Sequence, residues 1–200
     1  DLISALGTLA EDAACQARAR NLYAQYEKDG GAVDRNLVPA LVAICAHTGG
    51  ENDYERFFAR FKSAQTPQEE MRYLFALAGF RQKPLIARTL ELTINGEVRT
   101  QNAPYLMRSL LLNKDAREEA WKFMKSHWQQ MTGLYPDNSI PRMCEGIVGL
   151  VSRELEADAR RFFEQHPVRQ GAKQIEQHLE RLAIAVACRE RWNHLLRGSP

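Results

Sequence analysis

The sequence predicts an all-α protein, an α-solenoid of antiparallel helical hairpins, on three observations. Apolar residues return at steps of three and four through almost every segment. No stretch joins sustained alternation to β-branched enrichment. Gly, Pro and Asn-Gly punctuation recurs at short intervals, leaving room for about ten helices of ~10–25 residues with short connectors. No linker is long enough to divide two domains, so residues 1–200 are expected to form one helical-repeat domain.

The elements follow in order. The chain opens Asp1-Leu2-Ile3-Ser4-Ala5-Leu6, without Met or a basic n-region, and enters helical sequence at once. It reads as cut from something longer. Gly30-Gly31 and Gly49-Gly50 close the next helical segments. Asp53 to Ala64 carries Tyr54, Phe57, Phe58 and Phe61 on one stripe. Thr66-Pro67-Gln68-Glu69 has the form of a helix start, with Thr as cap, Pro first and Glu third. Leu90-Glu91-Leu92-Thr93-Ile94 is the best strand candidate, but it runs into Asn95-Gly96 and reads as a helix end with a left-handed cap. Asp115 to Leu134 carries Trp121, Met124, Trp128 and Met131. Gly146-Ile147-Val148-Gly149 is a small-residue step suited to tight packing. The last long segment carries Ile175, Leu179, Leu182 and Val186, and from Ser199-Pro200 no further domain is expected. There is no strict period and no tetratricopeptide or ankyrin signature. A degenerate HEAT-like array fits, with an irregular compact bundle as the alternative.

Composition excludes several classes. Hydrophobic residues are 44% and charged residues 26%, so the chain is not of the disordered type. Lys+Arg total 27 against 25 Asp+Glu, a net charge of +2 that speaks against nucleic acid as the main partner. No apolar run approaches the ~20 residues of a membrane span. The four cysteines, Cys15, Cys45, Cys144 and Cys188, form no CxxC pair and read as small buried hydrophobes. No HExxH, Walker loop or GxSxG elbow occurs. His47 and Glu51 are four apart, but Gly49-Gly50 breaks the helix that would align them. The carboxylate pairs Glu69-Glu70 and Glu118-Glu119 read as solvated faces, and the balanced charges from Arg153 to Arg181 as a mixed helix surface. No metal or cofactor site is expected in this chain.

Several phrases together carry a resemblance. Glu70-Met71-Arg72-Tyr73-Leu74-Phe75-Ala76-Leu77-Ala78 precedes Phe80-Arg81, and Val98-Arg99-Thr100-Gln101-Asn102 follows. Then come Ala120-Trp121-Lys122-Phe123-Met124, His127-Trp128 and Arg161-Phe162-Phe163, with Trp192 near the end. In order and spacing this set resembles the C-terminal helical domain of the aminopeptidase N family of zinc aminopeptidases, including the antigen-trimming aminopeptidases of the endoplasmic reticulum. The likeness runs from about Ala13 to Trp192.

The resemblance implies a HEAT/armadillo-like bowl that caps the active site of a catalytic domain lying N-terminal to it. That catalytic domain would hold the zinc and be the chain's own partner, while peptides would be the substrates. This chain would be non-catalytic and inactive alone, and its first hairpins would be absent. In the antigen-trimming members the bowl also contacts the far end of the peptide. Arginine suits that task because its planar fork pairs a carboxylate bidentately. The resemblance points to Arg81, just after the Leu-Ala helix, and to Arg99 in the Val-Arg-Thr-Gln phrase, with Gln101 and Arg72 as weaker companions. A capping or surface role is the alternative for each. The alternative for the whole chain is a free-standing helical-repeat scaffold that binds a protein partner.

Overall fold

The structure, a computed structural model, describes residues 2–197. Asp1 and the Ser199-Pro200 end lie outside the described residues. Among the described residues the regular structure is twelve α-helices and two short 3-10 turns, with no strand. The helical period is therefore obeyed along the chain, and the fold is all-α. The chain packs as two compact units, 1–86 and 87–200.

In the first unit, α1 (Leu2–Thr8) and α2 (Ala13–Lys28) both pack on α3 (Val38–Thr48), and α4 (Glu51–Ser63) packs on α5 (Pro67–Leu77). The caps follow the local sequence. Asp12 Oδ1 accepts from Cys15 N at 2.7 Å at the start of α2. Thr66 Oγ1 accepts from Glu69 N at 3.2 Å at the start of α5, as the Thr-Pro-Gln-Glu phrase predicts. Tyr54, Phe57 and Phe61 of the α4 stripe are buried, whereas Phe58 lies at the edge. Phe57 packs edge-on to Tyr23, Tyr73 and Phe80 with centroids 5.3–5.8 Å apart. Within this core the hydroxyls of Tyr23 and Tyr73 meet at 3.1 Å. Burial raises the pKa of both phenols, so the pair is neutral.

Helix α6 (Lys83–Leu92) crosses the unit boundary. It ends in the Thr93–Ile94 turn, and Gly96 takes φ +85°. The Leu90–Ile94 stretch is thus a helix end, not a strand.

The second unit contains α7 (Ala103–Leu112), α8 (Arg117–Ser126), α9 (Trp128–Leu134), α10 (Ile140–Cys144), α11 (Arg153–Gln165) and α12 (Ala172–Arg197). Here helix α7 packs on α8, on α10 and on the 3-10 turn Glu145–Gly149, while α11 packs on α12. The Gly146/Gly149 step is the close approach expected of it. A Cβ on Gly149 would lie 2.5 Å from Leu111 O, and one on Gly146 2.7 Å from Leu111 Cβ.

The Asp115–Leu134 stripe is buried at all four positions, but it is not one helix. The break is at His127, with φ −109° and ψ 16°. At this break the carbonyl of Phe123 receives His127 N at 3.0 Å and Ser126 Oγ at 2.9 Å, with His127 Nδ1 3.0 Å away. Trp121, Trp128, Phe162 and Phe163 form the aromatic cluster of this unit. Asp158 Oδ2 ties it down by accepting from Trp121 Nε1 at 2.7 Å and Lys125 Nζ at 2.6 Å.

Two surfaces stay apolar. Leu2, Leu6 and Leu9 are exposed in and just after α1, and Ile184, Trp192, Leu195 and Leu196 along the C-terminal half of α12. The expectation of buried cysteines holds for Cys45 and Cys144 only. Cys15 is half-buried and Cys188 is exposed, because Cys188 stands on the uncovered half of α12.

Candidate functional site

The best-defined polar cluster is built around Arg81. The chain leaves α5 through Gly79 and buries Phe80 in the aromatic core, which fixes where residue 81 emerges. The next residue, Gln82, donates to Gly49 O at 2.8 Å. This ties the α5–α6 connector to the α3–α4 junction. That junction is tight: a Cβ on Gly49 would lie 2.5 Å from Cys45 O. Arg20 spans it, bonding Thr48 Oγ1 at 3.1 Å and Asp53 Oδ2 at 3.2 Å. Burial of Asp53 opposes ionisation, but hydrogen bonds from Arg56 and Arg20 outweigh it and lower its pKa.

His47 stands in the last turn of α3, on this anchored junction, with its side chain 10% exposed. Its Nε2 lies 3.4 Å from Arg81 Nη1. Glu11, in the α1–α2 connector, completes a triangle. Glu11 Oε1 is 3.4 Å from Arg81 Nη1 and 3.6 Å from His47 Nε2. The site therefore holds a carboxylate between a guanidinium and an imidazole. Both Arg81 and Glu11 remain in part open to water, at 37% and 42% exposure. Glu11 has φ +53°, the left-handed region, and is the one non-glycine residue there among those described. A side chain in that conformation costs about 1–2 kcal/mol.

Arg72 is half-buried on α5, in the same unit as Arg81. Arg99 and Gln101 belong to the second unit, both exposed in the connector that precedes α7. Sequence reasoning found Arg81 but missed His47 and Glu11 as its neighbours. Helix α3 ends at Thr48 and α4 starts at Glu51, so His47 and Glu51 stand on different helices, as Gly49-Gly50 suggests. Nothing local marks the triangle, since His47 and Arg81 are 34 residues apart. A weak signal was available in Glu11-Asp12, a charged pair between two helical segments.

Among the described residues no group of three His, Cys, Asp or Glu could hold a metal ion. The described residues do not fit a zinc ion. No described helix is long and apolar enough to cross a membrane.

The described residues form an all-α chain whose best-defined polar cluster holds a carboxylate against an arginine. The comparison with known proteins gives its family. Residues 1–184 match the ERAP1-like C-terminal domain, and the chain belongs to that family. It is 27% identical over 108 residues to "Probable aminopeptidase 2" of Sulfurisphaera tokodaii, covering 54% of this chain and 14% of that protein. It is 30% identical over 103 residues to the "Alanine/arginine aminopeptidase" of Saccharomyces cerevisiae, covering 49% and 12%. It is 26% identical over 178 residues to "Aminopeptidase Ey" of Gallus gallus, covering 84% and 18%. The chain thus spans less than a fifth of the length of these relatives.

Proposed function

We propose that this chain is the non-catalytic C-terminal domain of a zinc metallo-aminopeptidase that removes N-terminal residues from peptides. In this reading residues 1–200 are one helical-repeat domain, a HEAT/armadillo-like array. It caps the active site of its own N-terminal catalytic domain and shapes which peptides reach it. The zinc belongs to that catalytic domain, and this chain alone does not turn over substrate. The observation that carries the reading is the family match over residues 1–184, together with relatives that are named aminopeptidases.

Within that reading Arg81 is the first anchor for a peptide's terminal carboxylate. Its support is chemical: Arg81 already holds a carboxylate, that of Glu11, at 3.4 Å. Arg99 and Gln101 are further contacts, favoured by their exposure in one connector, and Arg72 a weaker one. A charge-assisted hydrogen bond contributes roughly 1.5–3 kcal/mol, or about one to two orders of magnitude in kcat/KM. Solvent exposure screens it, so a several-fold effect is expected.

The test uses the full-length enzyme and its Arg81→Ala and Arg99→Ala variants. Each is assayed on a long peptide, the same peptide as its C-terminal amide, and an aminoacyl arylamide. The long free acid should lose most, because an arylamide reaches only the catalytic centre. Equal losses for acid and amide would rule out a carboxylate anchor.

A further inference from the structure

We propose that Glu11 is an internal carboxylate that occupies the Arg81–His47 site until the terminal carboxylate of a bound peptide replaces it. Glu11 and His47 then determine specificity for free-acid peptides. This rests on the reading of Arg81 as a carboxylate anchor.

Three observations lead here. The first is chemical likeness. Glu11 presents to Arg81 and His47 the same group that a peptide C-terminus carries, at 3.4 and 3.6 Å. Exchange of one carboxylate for the other conserves the charge of the site, so Arg81 is not left without a counter-charge.

The second is the backbone. Glu11 ends the turn after α1, where Leu9 N and Ala10 N both reach back to Ala5 O and Asp12 N to Leu6 O. A left-handed position in such a turn is most easily filled by glycine. Here it carries a long charged side chain whose carboxylate reaches two basic groups. Strain of this kind gathers at ligand clamps and switches. Release of the carboxylate removes the contacts that favour the strained conformer.

The third is the asymmetry of the support. His47 sits on a rigid platform: the last turn of α3, fastened by Arg20, Gln82 and the close approach at Gly49. Glu11 sits on a four-residue connector and is the most exposed of the three. The imidazole stands on the anchored part of the site, and the carboxylate stands on the part that can leave. An internal carboxylate on a short tether competes at an effective concentration of roughly millimolar. A free carboxylate alone does not displace it. A peptide held at its other end does, which makes the site selective for peptides long enough to span.

The experiment measures binding of one long peptide, as free acid and as C-terminal amide, to the metal-stripped full-length enzyme, so that no turnover intervenes. Titration calorimetry compares wild type with Glu11→Gln, Glu11→Ala, His47→Gln and Arg81→Ala. Both Glu11 variants should tighten the free acid by roughly three- to tenfold with little change for the amide, as expected when a competing charged hydrogen bond is removed. His47→Gln should weaken the free acid several-fold. If the Glu11 variants leave the acid-to-amide ratio at the wild-type value while Arg81→Ala lowers it, the competitor proposal is overturned and the anchor stands. If Arg81→Ala leaves the ratio unchanged, the anchor reading itself fails and the proposal falls with it.

Discussion

The two units solve the same problem with opposite chemistry. Each packs an aromatic cluster between helices, and each must satisfy polar atoms that come with the rings. In the first unit, the Tyr23 and Tyr73 hydroxyls satisfy one another inside the core. In the second, the indole of Trp121 donates to Asp158, which also receives Lys125 at the edge of the cluster. The first fastener is neutral and buried, and the second is ionic and half-exposed. Responses to mutation and pH should therefore differ between the units.

The largest effect tests the cores themselves. Phe57→Ala should destabilise the first unit by about 3–5 kcal/mol, and Trp121→Ala the second by a similar amount. Each side chain is buried at the centre of its cluster. Hydrogen exchange read residue by residue should show each loss concentrated in its own unit. Uniform loss in both would mean that they unfold as one.

Next comes the close approach in the second unit. Gly149→Ala sets a methyl against the Leu111 carbonyl, where the backbone has little room to yield. A cost of about 1–3 kcal/mol is expected in denaturant melts. Gly133→Ala, at a site where a Cβ meets nothing within 4 Å, is the control and should be neutral or stabilising.

The Tyr23–Tyr73 pair gives a smaller and more diagnostic effect. Either single change to Phe leaves one buried hydroxyl without this partner and should cost about 1–2 kcal/mol. The double change removes both hydroxyls and should cost less than the sum of the singles. Strict additivity would show that the two hydroxyls do not depend on each other.

The smallest effect is pH dependence, to which the second unit's fasteners contribute alongside Asp53 of the first unit, whose pKa is lowered in the same way. Burial opposes ionisation of Asp158, but hydrogen bonds from Lys125 and Trp121 outweigh it and lower its pKa. Its contribution is present above the ordinary carboxylate pKa of about 3.9 and is lost as pH falls through the folded value. His178 donates from Nε2 to Pro141 O at 3.2 Å, and desolvation lowers its pKa. The unfolded chain therefore takes up that proton more readily. Stability should decline as pH falls through about 6.5 and level off below the folded value. Asp158→Asn should flatten part of the acid limb, leaving the part that Asp53 contributes, and His178→Gln should flatten the shallow step above it. The Tyr23–Tyr73 pair should contribute nothing across this range, because both phenols stay protonated.

Much of the fold was legible in the residues. Helix starts such as Thr66-Pro67, stops such as Gly49-Gly50, and buried stripes such as Trp121-Met124-Trp128-Met131 depend on interactions between residues within a turn or two of each other. The break at His127 was not legible from the apolar period. That period survives a kink that keeps all four side chains inward, and the non-helical backbone of His127 reveals it.

The candidate site divides in the same way. By itself the sequence determined an all-helical chain, its family likeness and Arg81 as a cation of interest. Only the tertiary structure set Glu11 and His47 against that arginine, and only it showed a left-handed backbone beneath the glutamate. The physical reason is range. Helical periodicity and capping act over three or four residues. The triangle instead joins three segments far apart in the chain, through the packing of α1 and α2 on α3 and the tie from Gln82 to Gly49.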